Sequence, residues 1–216
     1  MPPRSSDSRK CFGQICTVAR ALDVVGDRWT LLILRELLGG PARFNELQEG
    51  LPGIAKNLLT ERLRRLEADG LVRRASSTQS TGYALTDLGA STRPIVEALG
   101  MWGGKAPRLG ALDHERSVRS VAVALHTFLS RAGDALPEDS RVVELMIDDE
   151  PLEIVVGTRP TVTARPSADP DARMRTTASS MRSYLHGQSF DPDDFPLVSG
   201  DGSARSALLK AMEVFF

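Results

Sequence analysis

A chain of 216 residues, 41% hydrophobic and 25% charged, has the make-up of an ordinary globular protein, long enough for one large domain or two modest ones. Two cysteines are too few for a disulfide scaffold or, alone, a zinc site, and no apolar run reaches the roughly 20 residues needed to span a bilayer. The net charge of −1 hides an asymmetry: residues 1–105 hold 15 Lys and Arg against 11 Asp and Glu (+4), and residues 106–216 hold 12 against 17 (−5). Only the first half can supply the local positive charge that phosphate neutralisation needs.

Met1 to Lys10 is polar and lacks the apolar core of a secretory signal. Residues 1–13 are therefore expected to form a disordered arm, and the chain to be cytoplasmic. Ile15–Val25 reads as a helix with Val18, Leu22 and Val25 on one face. Arg28–Leu38 reads as a second helix, apolar almost all round and hence buried, stopped by Gly39-Gly40-Pro41. A short helix over Phe44–Glu49, a turn at Leu51-Pro52-Gly53 and a helix over Ala55–Asp69 follow, the last ending at Gly70. Strands at Leu71–Arg74 and Tyr83–Leu85 flank the small or polar stretch 75–82, forming a hairpin. Thr86 is placed to cap a helix from Asp87 to about Trp102, with a kink at Pro94.

Helix, helix, turn, helix, hairpin is the order of a winged helix-turn-helix. In Ala55–Asp69 the residues Leu58, Leu59, Leu63 and Leu66 share one face, while Lys56, Asn57, Thr60, Glu61 and Arg64 fall largely on the other. Such a helix enters the major groove by its N-terminal end, where Asn pairs with adenine and Lys or Arg with guanine. Arg43, Arg73 and Arg74 are suited to phosphates. These features point to double-stranded DNA as a partner. Two half-sites about one helical turn apart also favour a two-fold protein.

The segments Cys16–Gly26, Arg28–Leu38, Arg43-Phe-Asn-Glu-Leu47, Leu51-Pro-Gly-Ile54, Leu58–Glu67, Gly70-Leu71-Val72 and Tyr83-Ala-Leu-Thr86 with Leu88-Gly89 resemble HxlR-type regulators over about residues 16–102. The resemblance implies a transcription regulator: a homodimer joined through the first and last helices of residues 14–104, bound to a pseudo-palindromic operator and acting as a repressor. Family wings often carry basic residues, whereas Ala75–Gly82 has none; members commonly have Cys-Pro where this chain has Cys16-Thr17. Cys16 also stands where some family members resemble redox or electrophile sensors. The alternative is a small apolar residue packed at the dimer seam. Operator retardation under diamide and a quinone, compared between wild type and Cys16→Ser, separates the two.

Residues 105–113 carry the Gly/Pro punctuation of a linker. Beyond it, 114–131 reads as an amphipathic helix. Strands follow at Val142–Ile147, Leu152–Val156, Pro160–Ala164 and Ala172–Thr176, then a helix over Ala178–His186, a strand at Leu197–Asp201 and a helix over Ser203–Phe215. This is an α+β arrangement. Together with Gly200-Asp201 before the last helix, it resembles a sterol-carrier-protein-like domain over 114–216, which implies a lipophilic small-molecule effector. Candidate wall residues are Leu125, Phe128, Leu129, Met181, Leu185, Phe190 and Phe195; a domain that only packs or dimerises is the alternative. His114, His126 and His186 have no metal-ligand spacing, and phosphate-loop and nucleophile-elbow patterns are missing. Asp148, Asp149, Asp193 and Asp194 sit in expected turns, where a solvated role outweighs acid–base chemistry. Neither enzyme activity nor a cofactor is expected.

Overall fold

The structure is a computed structural model and describes residues 11–76, 81–106, 117–133 and 136–214. Most of the expected N-terminal arm, the wing tip at 77–80, the linker from 107, the helix start at 114–116 and Phe215 lie outside the described residues.

The first half contains α1 (Thr17–Val25), α2 (Thr30–Leu38), α3 (Phe44–Glu49), α4 (Lys56–Ala68), β1 (Val72–Ser76), β2 (Thr81–Leu85), α5 (Asp87–Ala90) and α6 (Arg93–Gly103). One hydrophobic cluster joins α2, α3 and α4 to the hairpin through Ile33, Leu34, Leu47, Leu59, Leu63 and Tyr83. Gly70 ends α4 with φ +73, where an L side chain would be strained. The Leu71 N–H reaches the Leu66 carbonyl at 2.9 Å and the Gly70 N–H reaches that of Glu67 at 3.1 Å. These two bonds satisfy terminal helix carbonyls in the Schellman pattern, with buried Leu66 and Leu71 bracketing the stop.

Two local expectations change. The helix from Asp87 to Trp102 is two helices, broken at Ser91-Thr92, and Pro94 lies in the first turn of α6 instead of kinking a continuous helix. Proline lacks the N–H that a first turn leaves unpaired in any case, so it suits a start better than an interior. Thr86 does cap α5, its Oγ1 accepting the Gly89 N–H at 3.1 Å and donating to the Gly70 carbonyl at 2.6 Å. The hairpin also acquires a third partner. Ala42 and Tyr83 exchange backbone hydrogen bonds of 2.9 and 2.7 Å, so the segment between α2 and α3 is tied to the wing.

The second half contains α7 (Val118–Ala132), β3 (Arg141–Ile147), β4 (Glu150–Val156), β5 (Thr161–Thr163), β6 (Ala172–Thr176), α8 (Ala178–Leu185), β7 (Leu197–Gly200) and α9 (Gly202–Glu213). The strands form one mixed sheet in the order β5-β4-β3-β6-β7, with β3 and β6 parallel and the other neighbours antiparallel. Alternation places Val143, Leu145 and Ile147 of β3 and Leu152, Ile154 and Val156 of β4 in a second cluster with α7, α8 and α9. The opposite face is polar, with ion pairs Arg173–Glu144 and Arg165–Glu153.

The halves meet where α7 lies against the end of α2 and against α6. Arg119 Nη1 donates to the Gly40 carbonyl at 2.8 Å, and the Ala164 N–H donates to that of Gly39 at 2.8 Å. A Cβ on Gly39 would stand 2.9 Å from Arg119 backbone, so this glycine admits the close approach as well as ending α2. Glu36 is fully buried on α2 and accepts from Arg35 at 2.6 Å and from Ser117 Oγ, at the cap of α7, at 2.6 Å. A buried carboxylate requires such partners; the sequence pattern of α2 shows only its apolar face.

On the same interface His126 Nδ1 lies 2.8 Å from Glu97 Oε1 and 3.3 Å from Ser130 Oγ, and Arg93 Nη1 is 3.8 Å from the same Glu97 oxygen. Burial and the Arg93 charge push the imidazole below its usual value, outweighing the Glu97 interaction that favours the imidazolium. The native state therefore resists a proton that the unfolded chain accepts. Stability from this site is full above the unfolded value near 6.5 and is lost as pH falls from there toward the folded value. Denaturant titrations between about pH 7.5 and pH 5 are expected to show this slope. His126→Gln is expected to flatten it; an unchanged slope in the variant would place its origin elsewhere.

Candidate nucleic-acid interface

The polar side of α4 is the best-defined surface of the first half. Leu59, Leu63 and Leu66 are buried and Leu58 packs against the same cluster, while Lys56, Asn57, Thr60 and Arg64 are exposed. The helix is held at this rotation from beneath. Arg62, between the two faces, reaches Asp27 with Nε 3.1 Å from Oδ1. Asp27 in turn accepts the Trp29 and Thr30 N–H groups at 2.9 and 3.2 Å and bonds the Thr30 hydroxyl, pinning the start of α2. Burial pushes the Asp27 carboxyl up, but the Thr30 hydroxyl, these N–H groups and the Arg62 charge together bring it below its usual value. Asp27 therefore links the start of α2 to the side of α4, a long-range pair that no local spacing announces.

α3 precedes α4 through the turn at Leu51–Ile54, where Gly53 adopts φ +88 and Leu51 and Ile54 are buried. Glu46 fastens the first turn of α3 by accepting the Arg43 N–H at 2.7 Å. It also takes Arg119 Nη2 of α7 at 3.3 Å, so α3 is anchored to the second half as well as to its own domain.

Not every expected DNA-contacting side chain is equally available. Asn57 Oδ1 accepts the Leu58 N–H at 3.0 Å, and Thr60 Oγ1 donates to the Lys56 carbonyl at 2.9 Å. Both must exchange these local bonds to reach a base. Glu61 is half-buried and engaged by Arg62 at 3.2 Å and Arg65 at 2.6 Å; its place is in a charge network along the helix. Among the expected phosphate ligands Arg43 and Arg73 are exposed. Arg74 is also exposed, but it lies 4.2 Å over the Tyr83 ring and pairs with Glu67 at 2.9 Å, which holds its guanidinium against the wing.

A second surface of the first half is apolar. Val18 is 65% exposed, Leu22 46% and Trp102 68%, with Ile15, Leu88, Ile95 and Leu99 also exposed. The stripe expected on α1 is thus split, Val25 entering the core while Val18 and Leu22 face outward. On α6, Ile95, Leu99 and Trp102 recur at helical spacing. Cys16 stands exposed at the N-cap of α1 and makes no cap hydrogen bond through its side chain. Within the described chain it is therefore not a buried filler.

The expected ligand pocket is mostly core. Leu125, Leu129 and Phe195 are buried in the second cluster. Phe128 and Phe190 stack on Tyr184 with centroids 5.7 and 5.5 Å away, and Phe190 meets Phe195 at 5.9 Å. Edge-to-face and tilted aromatic packing fills the space that a tunnel would need. Met181 and Leu185 instead line a cavity of about 300 Å³ between α7, α8 and the β3–β4 turn. Among the described residues no three His, Cys, Asp or Glu side chains gather as metal ligands.

A helix pair joined by a tight turn, followed by a two-stranded wing and carrying an exposed polar reading face, defines a winged helix-turn-helix DNA-binding protein. Residues 24–108 match the HxlR-like helix-turn-helix family, and the chain belongs to that family: it is a transcriptional regulator of the helix-turn-helix type. It is similar to the uncharacterized HTH-type transcriptional regulator YkvN of Bacillus subtilis (strain 168), 41% identical over 85 residues, covering 38% of this chain and 72% of that one. YybR of the same organism is 38% identical over 91 residues, covering 41% and 73%. Among solved structures, the redox regulator HypR in its oxidized form is 36% identical with a TM-score of 0.41, over 44% of this chain and 100% of that chain.

Proposed function

We propose that the protein is a cytoplasmic homodimeric repressor that reads a pseudo-palindromic operator through α4 of each copy. Residues 14–104 form the DNA-binding and dimerising unit, and 114–216 form an α+β, sterol-carrier-protein-like unit that senses a hydrophobic small molecule. The observation that carries the reading is the two-sidedness of α4: its leucines are buried while Lys56, Asn57, Thr60 and Arg64 face solvent. The exposed apolar faces of α1 and α6 support the homodimer, because side chains of that size left in water favour burial against a second copy.

Selection of bound duplexes from a random pool tests the central claim. Asn57→Ala and Arg64→Ala are each expected to lower discrimination at one position of the selected site by about 1–3 kcal/mol, with thermal unfolding unchanged. Sequence preferences identical to wild type in both variants would remove α4 as the reading helix. The sensing claim is tested separately. A panel of neutral hydrophobic compounds, scored by thermal shift and by release of operator DNA, is expected to contain members that do both; a panel without effect on the full chain would refute it.

A further inference from the structure

The cavity between α7, α8 and the β3–β4 turn combines two kinds of wall. Val118, Val121, Met181 and Leu185 give it an apolar interior of about 300 Å³, at the small end of the range for organic ligands. Its mouth carries Asp148, Asp149 and Glu150, opposed by the one guanidinium of Arg182. The turn that presents these carboxylates is held in place. Asp148 has φ +50, the only positive value at a non-glycine among the described residues, and its carboxylate accepts the Ala178 N–H at 3.3 Å. That bond sets Asp148 against the positive end of α8 and leaves Asp149 and Glu150 exposed at the rim.

We propose that this cavity is the effector site and that its effector is an apolar organic cation, a hydrocarbon or aromatic body ending in an amine or quaternary ammonium group. The inference rests on the sensing role proposed above and specifies its chemistry. An apolar body gains by leaving water for the Met181 and Leu185 wall. A neutral hydrophobe gains nothing from the rim, and an anion meets three carboxylates for one guanidinium. A cation is the ligand for which both walls are favourable.

The position of the cavity also supplies an output. Val118 lines it and stands between Ser117 and Arg119, which bond Glu36 of α2 and the Gly40 carbonyl and Glu46 of α3. Val118 and Glu150 are shared with an adjoining groove that reaches Glu46 and Glu49 of α3. A ligand that favours one placement of the α7 start therefore biases α3, the helix packed before the reading helix, by as much as it prefers that placement.

Phenylhexylamine, phenylhexanol and phenylhexanoate share one apolar body and differ in head charge. Titrated calorimetrically into the full-length protein, the amine is expected to bind about tenfold more tightly than the carboxylate, with the alcohol between them, the size expected for two rim carboxylates in partial contact with water. The substitution Asp149→Asn with Glu150→Gln, at exposed positions, is expected to bring the three affinities together, and the amine is expected to shift operator affinity in wild type. Equal affinities, the reverse order, or an order that survives the double substitution would overturn the cation inference. Failure of all three probes, while neutral hydrophobes still shift unfolding and release DNA, overturns it and leaves the sensing role standing. Failure of both sets overturns both.

Discussion

Val18→Glu combined with Leu99→Glu is expected to yield a monomer whose operator affinity is lower by roughly 10²–10⁴. Both positions are exposed in the single chain, Leu99 at 45%, so neither substitution disturbs the core, and exposed changes of this kind alter stability by only about ±0.5 kcal/mol. The loss arises in assembly. A helix-turn-helix unit holds a half-site through one reading helix and a few phosphate contacts, and the first half of this chain brings a net charge of only +4. Tethering two such units converts the second half-site into an intramolecular event, which is where the tight binding originates. Four carboxylates forced into one apolar seam per dimer repel one another and lose water. Sedimentation velocity and fluorescence anisotropy on a selected operator measure the two effects. A variant that stays dimeric with unchanged affinity would move the dimer seam away from α1 and α6.

Leu63→Ala is expected to destabilise the first half by about 2–5 kcal/mol, whereas Arg64→Ala, one residue on, changes stability by no more than about 0.5 kcal/mol. Leu63 is fully buried beneath α4 together with Leu59. Truncation leaves a cavity that the neighbouring helices close only in part, so lost transfer energy and lost contacts add. For a unit of 60–100 residues each kcal/mol lowers the unfolding midpoint by about 4–8 °C, and the separate hydrophobic cluster of the second half gives an internal reference in the same scan. DNA binding measured well below the midpoint would weaken in Leu63→Ala through a reduced folded population. In Arg64→Ala it would weaken through altered sequence preference alone. Equal midpoints for the two variants would contradict the two-sided placement of α4.

This contrast shows what was legible in the chain. α4 announces itself through leucines at helical spacing and a glycine at its end, and the observed helix, Lys56–Ala68, lies one residue inside each expected boundary. The strands of the second half were equally readable: β6 occupies the expected Ala172–Thr176, and β3 and β4 begin within two residues of their expected starts. Each of these signals is contained in a window of a few residues, where a period of 3.6 or 2 reports directly which side meets the core.

The features that escaped are all meetings of distant residues. Asp27 with Arg62, Ala42 with Tyr83, and Glu36 with Ser117 are each separated by tens of residues, and no periodicity relates them. The expected ligand wall failed for a related reason. Leu125, Phe128, Leu129, Phe190 and Phe195 are apolar at suitable spacing, but whether apolar side chains enclose a space or fill it depends on how rings from α7, α8 and the segment before β7 meet. Here they fill it. Likewise Asp148 and Asp149 read correctly as a turn, yet their position at the mouth of a cavity depends on where α8 packs.

The amino-acid order by itself determined which stretches are helices and strands, which face of α4 is buried and that the first half belongs to a DNA-binding class. Backbone propensity and hydrophobic period are properties of neighbouring residues. Only the tertiary structure decided how α7 is bolted to α2 and α3, which apolar faces remain in solvent, and where a cavity survives. Those outcomes follow from close packing among elements far apart in the chain, where a difference of one side chain separates a void from a filled core.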